Sequence, residues 1–254
     1  MNFFFGLKNN FFESNLQIPK FTNRKQKYKS NINLFKIKIE NKFWNIEKLD
    51  NIKNDQNFFY VDTDLSNNDN IFFLANDTEI LNFNKDKILN YSNFTETYPA
   101  FRCNLEIFNL KSGFSSFQSE YPFSLINKRG MTLSPIATLL NNNAEKNFIF
   151  FKNIIEKPLK QIFFGYLINV KTKKIEKKIE LFSNYSNIFE VNKEFINPEI
   201  YFVTDNHLGV PMYISVNENH ISFEHTHPPH EYIQSDNRFK KISEIKNEIN
   251  EIIS

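Results

Sequence analysis

Phe35-Lys36-Ile37-Lys38-Ile39-Glu40 alternates apolar and charged residues from end to end, and that alternation decides the fold class. Successive side chains of an extended strand point to opposite faces. Period two therefore sends Phe35, Ile37 and Ile39 to a core and leaves Lys36, Lys38 and Glu40 in water. The pattern returns at 101–107, where Phe101, Cys103, Leu105 and Ile107 alternate with Arg102, Asn104 and Glu106. Further short apolar or alternating runs lie at 148–155, 162–170, 175–182, 199–204, 210–216 and 221–225, with polar turns between them. The turns at 171–174 and 217–219 predict hairpins, and so does the Ser66-Asn67-Asn68-Asp69-Asn70 loop between the runs 58–61 and 71–74. Turn signals every ~8–12 residues predict a mainly β chain built as an antiparallel sandwich or barrel.

Two helices interrupt the strands. A short internal one is expected at 135–140, with Ser134 as its cap and Pro135 at its first position. At the C-terminus Phe239, Ile242, Ile245, Ile249 and Ile252 recur every three or four residues. This is the stripe of an amphipathic helix docked on the body, with Ser235 or Asp236 placed to cap it.

Composition bounds the function. The net charge is only +2, so no global field attracts nucleic acid or an anionic membrane. No apolar run approaches the ~18–20 residues of a membrane span. The opening Met1-Asn2-Phe3-Phe4-Phe5 is too short and lacks the basic lead of a signal peptide. A single cysteine excludes an intramolecular disulfide framework, and the cytoplasm is the expected compartment. Cys103 falls on the apolar phase of its strand, which makes it a core residue and not a nucleophile. Five scattered glycines build neither a phosphate loop nor a dinucleotide fingerprint, so no nucleotide cofactor is expected.

The chain holds 30 Phe and 39 Asn but only 5 Gly, 9 Pro, 4 Ala and 4 Arg, the imprint of an AT-rich coding sequence. Under such bias a surviving Gly, Ala, Pro or Arg carries more physical meaning than an Asn. Of these 22 residues four lie in 1–98 and ten in 99–144, while Gly209, Pro211, Pro228 and Pro229 bracket the histidines. The organisation expected is a β-rich N-terminal region of low information at 1–96. It is followed at 97–254 by a sandwich-like domain with the histidine cluster and the C-terminal helix.

All five histidines fall between His207 and His230. In Ile221-Ser222-Phe223-Glu224-His225-Thr226-His227-Pro228-Pro229-His230-Glu231, a strand puts Ile221, Phe223, His225 and His227 on one face. Two imidazoles two residues apart on a strand chelate Zn, Fe or Mn, and the prolines end the strand beside them. The expected metal ligands are His225, His227, His230 and His207, with Glu231 or Glu224 as ligand or base. A polar pocket without metal and a purely structural cluster are the competing readings. His225-x-His227 with Ser235 resembles the JAMM-type metallopeptidase pattern, although Arg238 stands where that pattern has an aspartate. His225-x-His227-x3-Glu231 resembles the first metal motif of cupins, whose glycines are absent here. Neither resemblance assigns the chain to a family.

A second candidate is the serine-rich stretch 113–124, which lies within an Asn-free segment, 110–126. Ser116 and Glu120, together with Arg102 and Arg129, form a hydrogen-bonding set suited to a hydroxylated or acidic ligand. An edge strand with a tight turn is the plainer reading of that stretch. From 14 to 39 there are seven bases and no acid, which reads as a solvated face, and nucleic acid is not an expected partner. Two functions therefore compete on sequence. One is a binder of a small polar ligand, carbohydrate being the first guess, or a metal-dependent protein, with its site at 207–231. The other is a non-catalytic glycan-binding or interaction module using 113–124.

Overall fold

The computed structural model describes residues 1–20, 32–91, 103–225 and 236–254. The strands of the first half are β1 (Asn2–Phe3), β2 (Phe12–Pro19), β3 (Asn33–Glu40), β4 (Phe43–Lys48), β5 (Phe58–Val61) and β6 (Ile71–Ala75). After helix α1 (Asp77–Ile80) come β7 (Asn104–Asn109), β8 (Phe114–Gln118), β9 (Tyr121–Pro122), β10 (Leu133–Pro135) and β11 (Lys146–Asn153). The chain continues through β12 (Ile162–Asn169), β13 (Lys174–Phe182), β14 (Tyr185–Glu190), β15 (Ile200–Thr204), β16 (Val210–Asn217) and β17 (His220–His225) to helix α2 (Arg238–Ile253).

The protein is mainly β, and its sheets are antiparallel. Among the described residues none closes into a barrel. A front sheet runs β5-β2-β7-β8, a side sheet β4-β3-β6, a central sheet β14-β11-β16-β17 and a back sheet β10-β15-β12-β13. The central sheet is apolar on both faces, which is why β11 reads Phe148-Ile149-Phe150-Phe151 without alternation. Phe148, Phe150, Met212 and Ile214 join the core shared with the front and side sheets. Ile149, Phe151 and Tyr213 join a second core with Phe163, Leu167 and Phe202 of the back sheet. The outer face of the back sheet, with Ile168 and Val203, takes Ile249 of α2. Strands before and after residue 96 share one sheet, because β2 pairs with β7 from Phe12↔Asn109 to Gln17↔Asn104.

The alternating strands form where their period places them. Cys103, Leu105 and Ile107 are buried, and Asn104 and Glu106 are half-exposed on the opposite face; Phe101 and Arg102 lie outside the described residues. The turns at 171–174 and 217–219 both close hairpins, β12–β13 and β16–β17.

Three local expectations differ. The runs at 58–61 and 71–74 do not form a hairpin, because β5 pairs with β2 and β6 with β3. The loop between them folds on itself, with Asp62 accepting from the Leu65 and Ser66 amides, and turns β6 into another sheet. At 136–140 there is a single hydrogen-bonded turn and not a helix. Ser134 belongs to β10, buried and bonded to the Tyr213 hydroxyl, so it cannot cap; the short internal helix is α1 instead. The N-cap position of helix α2 is Asn237, one residue past Asp236, and Ser235 lies outside the described residues. Neither helix is long and apolar enough to cross a membrane.

Candidate functional site: the Arg129–His207 cleft

Strand β17 follows its period. Ile221 and Phe223 are buried in the front core, and half-buried His225 follows on the same face. Its ring stands edge-on to Phe117 of β8, with centroids 4.2 Å apart and planes at 76°. Glu224 points to the opposite, exposed face, so it and His225 do not serve one reacting atom. His227, His230 and Glu231 lie outside the described residues, as does Arg102. Among the described residues no group of three His, Cys, Asp or Glu is placed to hold a metal ion.

His207 contacts a different layer. It sits in the turn between β15 and β16, where its ring stacks on Phe163 of the back core at 4.3 Å and 19°. The Thr204 hydroxyl donates to its carbonyl at 2.6 Å, and a bridge pairs its backbone with Arg129. Nδ1 lies 2.5 Å from the Asp205 carbonyl and 3.1 Å from the Asp205 carboxylate. Both are acceptors, so Nδ1 carries the proton and donates. Nε2 faces Nη1 of Arg129 at 3.5 Å, and since guanidinium only donates, Nε2 is the acceptor. Both ring nitrogens are thus engaged within the fold.

The Arg129–His207 pair lies on the wall of a cleft of about 360 Å³. The loop carrying Lys128 and Arg129 forms one side, and the segment after β11, with Glu156 and Lys157, forms the other. Asn127 turns the first loop with φ of 66°, a left-handed conformation that asparagine tolerates. Lys128, Arg129 and Lys157 make no ion pair among the described residues. The one carboxylate on the wall, Glu156, accepts from Lys87 at 2.8 Å and Asn127 at 2.7 Å. These two partners, Lys87 first, hold its carboxyl below the usual carboxylate range. Asn153, also on the wall, donates to the Leu208 carbonyl at 2.7 Å, and its buried Oδ1 has no partner. The cleft therefore offers positive charge that no ion pair among the described residues offsets.

The serine-rich stretch forms an edge strand. Ser116 is exposed on the outer face of β8, Phe117 turns inward, and Glu120 is half-buried beyond the strand end. Ser119 is buried and donates to the Phe5 carbonyl at 3.0 Å. Arg129 does not join Ser116 and Glu120, since it lines the cleft with His207. Burial pushes the Cys103 thiol well above its ordinary value, which removes it as a nucleophile.

Sequence reading singled out Arg129 and His207 but missed Lys128, Lys157 and Asn153 beside them. Lysine and asparagine are so common in this chain that neither stands out, and Lys157 is distant in sequence from the loop it faces. Comparison with family models, with curated proteins and with solved structures finds no match.

Proposed function

We propose that the protein binds a small hydroxylated anion, of the sugar-acid or sugar-phosphate class, in the Arg129–His207 cleft. The observation that carries this reading is the charge on the wall. Among the described residues, three cations without ion-pair partners surround a cleft whose single carboxylate is already neutralised. Arginine presents parallel N–H donors that match a carboxylate or phosphate, and the contact to His207 orients that fork. Gln161 on the same wall suits a hydroxyl of such a ligand.

Isothermal titration with glucuronate and with glucose 6-phosphate tests it. Wild-type protein should bind at least one of them, and Arg129→Gln should weaken that binding about tenfold or more, the cost of a charge-assisted hydrogen bond. Absence of binding to both, or equal binding by the variant, would overturn the reading.

The concentration of histidines supports a separate reading, a divalent Zn, Fe or Mn held by His225 with His227 and His230. Metal analysis of purified protein decides it: stoichiometric metal supports the site, and a protein that takes up none in titration removes it.

A further inference from the structure

The front sheet has an outer face that is polar throughout its centre. Its inner residues Leu16, Ile18, Leu105 and Ile107 are buried, so period two sends Asn15, Gln17 and Glu106 outward. The register makes them neighbours: Asn15 lies opposite Glu106, and Gln17 lies opposite Tyr60. These outward residues are half-buried, because the segment 47–53 and Asp62 enclose a cleft of about 650 Å³ with them.

The hydrogen bonding in the cleft is lopsided. Gln17 Nε2 donates to Glu106 Oε1 at 2.8 Å, and Asn104 Nδ2 reaches the same oxygen at 3.4 Å. Among the described residues Oε2 of Glu106 and Oε1 of Gln17 have no donor, and the buried Oδ1 of Asn15 has no partner. The Glu106 and Gln17 oxygens on one wall match a ligand that brings hydrogen-bond donors.

Part of the surrounding charge is paired. Glu47 pairs with Lys36 at 2.6 Å and Lys48 with Asp77 at 2.9 Å, whereas Asp62 and Lys53 make no ion pair among the described residues, and the Lys53 ammonium lies 5.3 Å from the centre of the Tyr60 ring. Leu49 and Ile52 add apolar surface to the opposite wall. A ligand with hydroxyl donors on its edge and C–H groups on its face fits this combination.

We infer that this cleft is a binding site for a neutral saccharide, held by Asn15, Gln17 and Glu106 against the 47–53 segment. It stands independently of the Arg129–His207 cleft, which lies at a different part of the fold and selects by charge. The carboxylate of Glu106 accepts from sugar hydroxyls, and the two amides pair with neighbouring hydroxyls through both donor and acceptor atoms.

The test uses the full chain on an array of neutral oligosaccharides, followed by titration calorimetry with the best binder and with spermidine as a cationic probe. The expected result is binding of at least one neutral saccharide and a Kd about tenfold weaker in Glu106→Gln, which is isosteric and keeps the Gln17 hydrogen bond. Gln17→Ala should weaken it similarly, while Arg129→Gln should leave it unchanged. Circular dichroism melting of each variant separates lost binding from lost fold, and the isosteric Glu106 variant keeps the comparison available if Gln17→Ala unfolds. No saccharide bound on the array, binding of spermidine alone, or unchanged affinity in a folded Glu106→Gln would each overturn the inference.

Discussion

Lys152 ends the apolar run of β11 wholly buried, with Nζ 3.2 Å from the Ser186 hydroxyl and 5.6 Å from the centre of the Phe5 ring. Ser186 donates onward to the Gly6 carbonyl at 2.8 Å, so the hydroxyl stays satisfied without the lysine. Burial pushes the ammonium down to about 7, only partly countered by Asp69. Between that value and the ordinary 10.5, the unfolded chain holds a proton that the folded chain has released. The Lys152 contribution to stability therefore rises with pH across this window, and below about 7 the full cost of burying charge applies. Lys152→Met should be more stable than wild type in urea at pH 6, with the gap narrowing by pH 9. Parallel stability–pH profiles would show that the ammonium is not desolvated as described. Scarcity in the sequence also pointed to residues with a physical job. A Cβ on Gly209, two residues after His207, would lie 2.3 Å from the Phe151 ring and 2.4 Å from the Lys152 carbonyl. The site residues brought to His207 by tertiary folding had no such compositional mark.

At the scale of elements, α2 shows what a stripe does and does not specify. Ile249 is buried, and Ile252 and Ile253 pack on the same outer core with Ile168 and Val203. Phe239 is 64% exposed and Ile245 is 37% exposed, although the helical period includes both. Lys246 donates to the Met131 carbonyl at 2.9 Å, and burial lowers its ammonium below the ordinary value. Ile249→Ala should cost about 2 kcal/mol or more, as buried aliphatic truncations do, whereas Phe239→Ser should stay within about 0.5 kcal/mol. Equal losses in urea unfolding would mean that the helix docks along its whole stripe. Periodicity thus made the helix and most strands legible, because it records which face is dry. It does not record the partner, which is why 58–61 and 71–74 look like a hairpin and belong to different sheets. The short turn at 136–140 reads as a helix in the sequence for a related reason: Ser134 has the residue type of a cap but is committed to Tyr213 across the core.

On the scale of the whole molecule, the decisive feature is a central sheet covered on both faces. Its front face carries Phe148, Phe150, Met212 and Ile214, and the residues covering them include Phe5, Phe12 and Leu16 from the start of the chain. Stacked Phe5 and Phe150 rings at 5.4 Å, and Phe12 edge-on to Phe148 at 5.5 Å, tie the start of the sequence to its middle. A second tie lies at the hairpin tips. Gly113, with φ of +84°, lets the β7–β8 turn approach the Asn219 carbonyl, where an added Cβ would sit 2.9 Å away. Beside it, Asn109 donates to the Asn217 carbonyl at 2.8 Å. A division of the chain at 96 and 97, natural on composition, cuts β2 from β7 and uncovers the part of the central sheet's front face that residues 1–96 cover. Each large apolar side chain uncovered forfeits about 1.5–3 kcal/mol, so a few of them exceed the ~5–15 kcal/mol that holds a typical domain folded. Residues 97–254 produced alone should therefore fail to melt cooperatively and should bind a hydrophobic dye, while adding residues 1–96 in trans should restore a sharp transition. A fragment 97–254 that melts on its own near the temperature of the intact chain would show that the central sheet does not need its N-terminal cover.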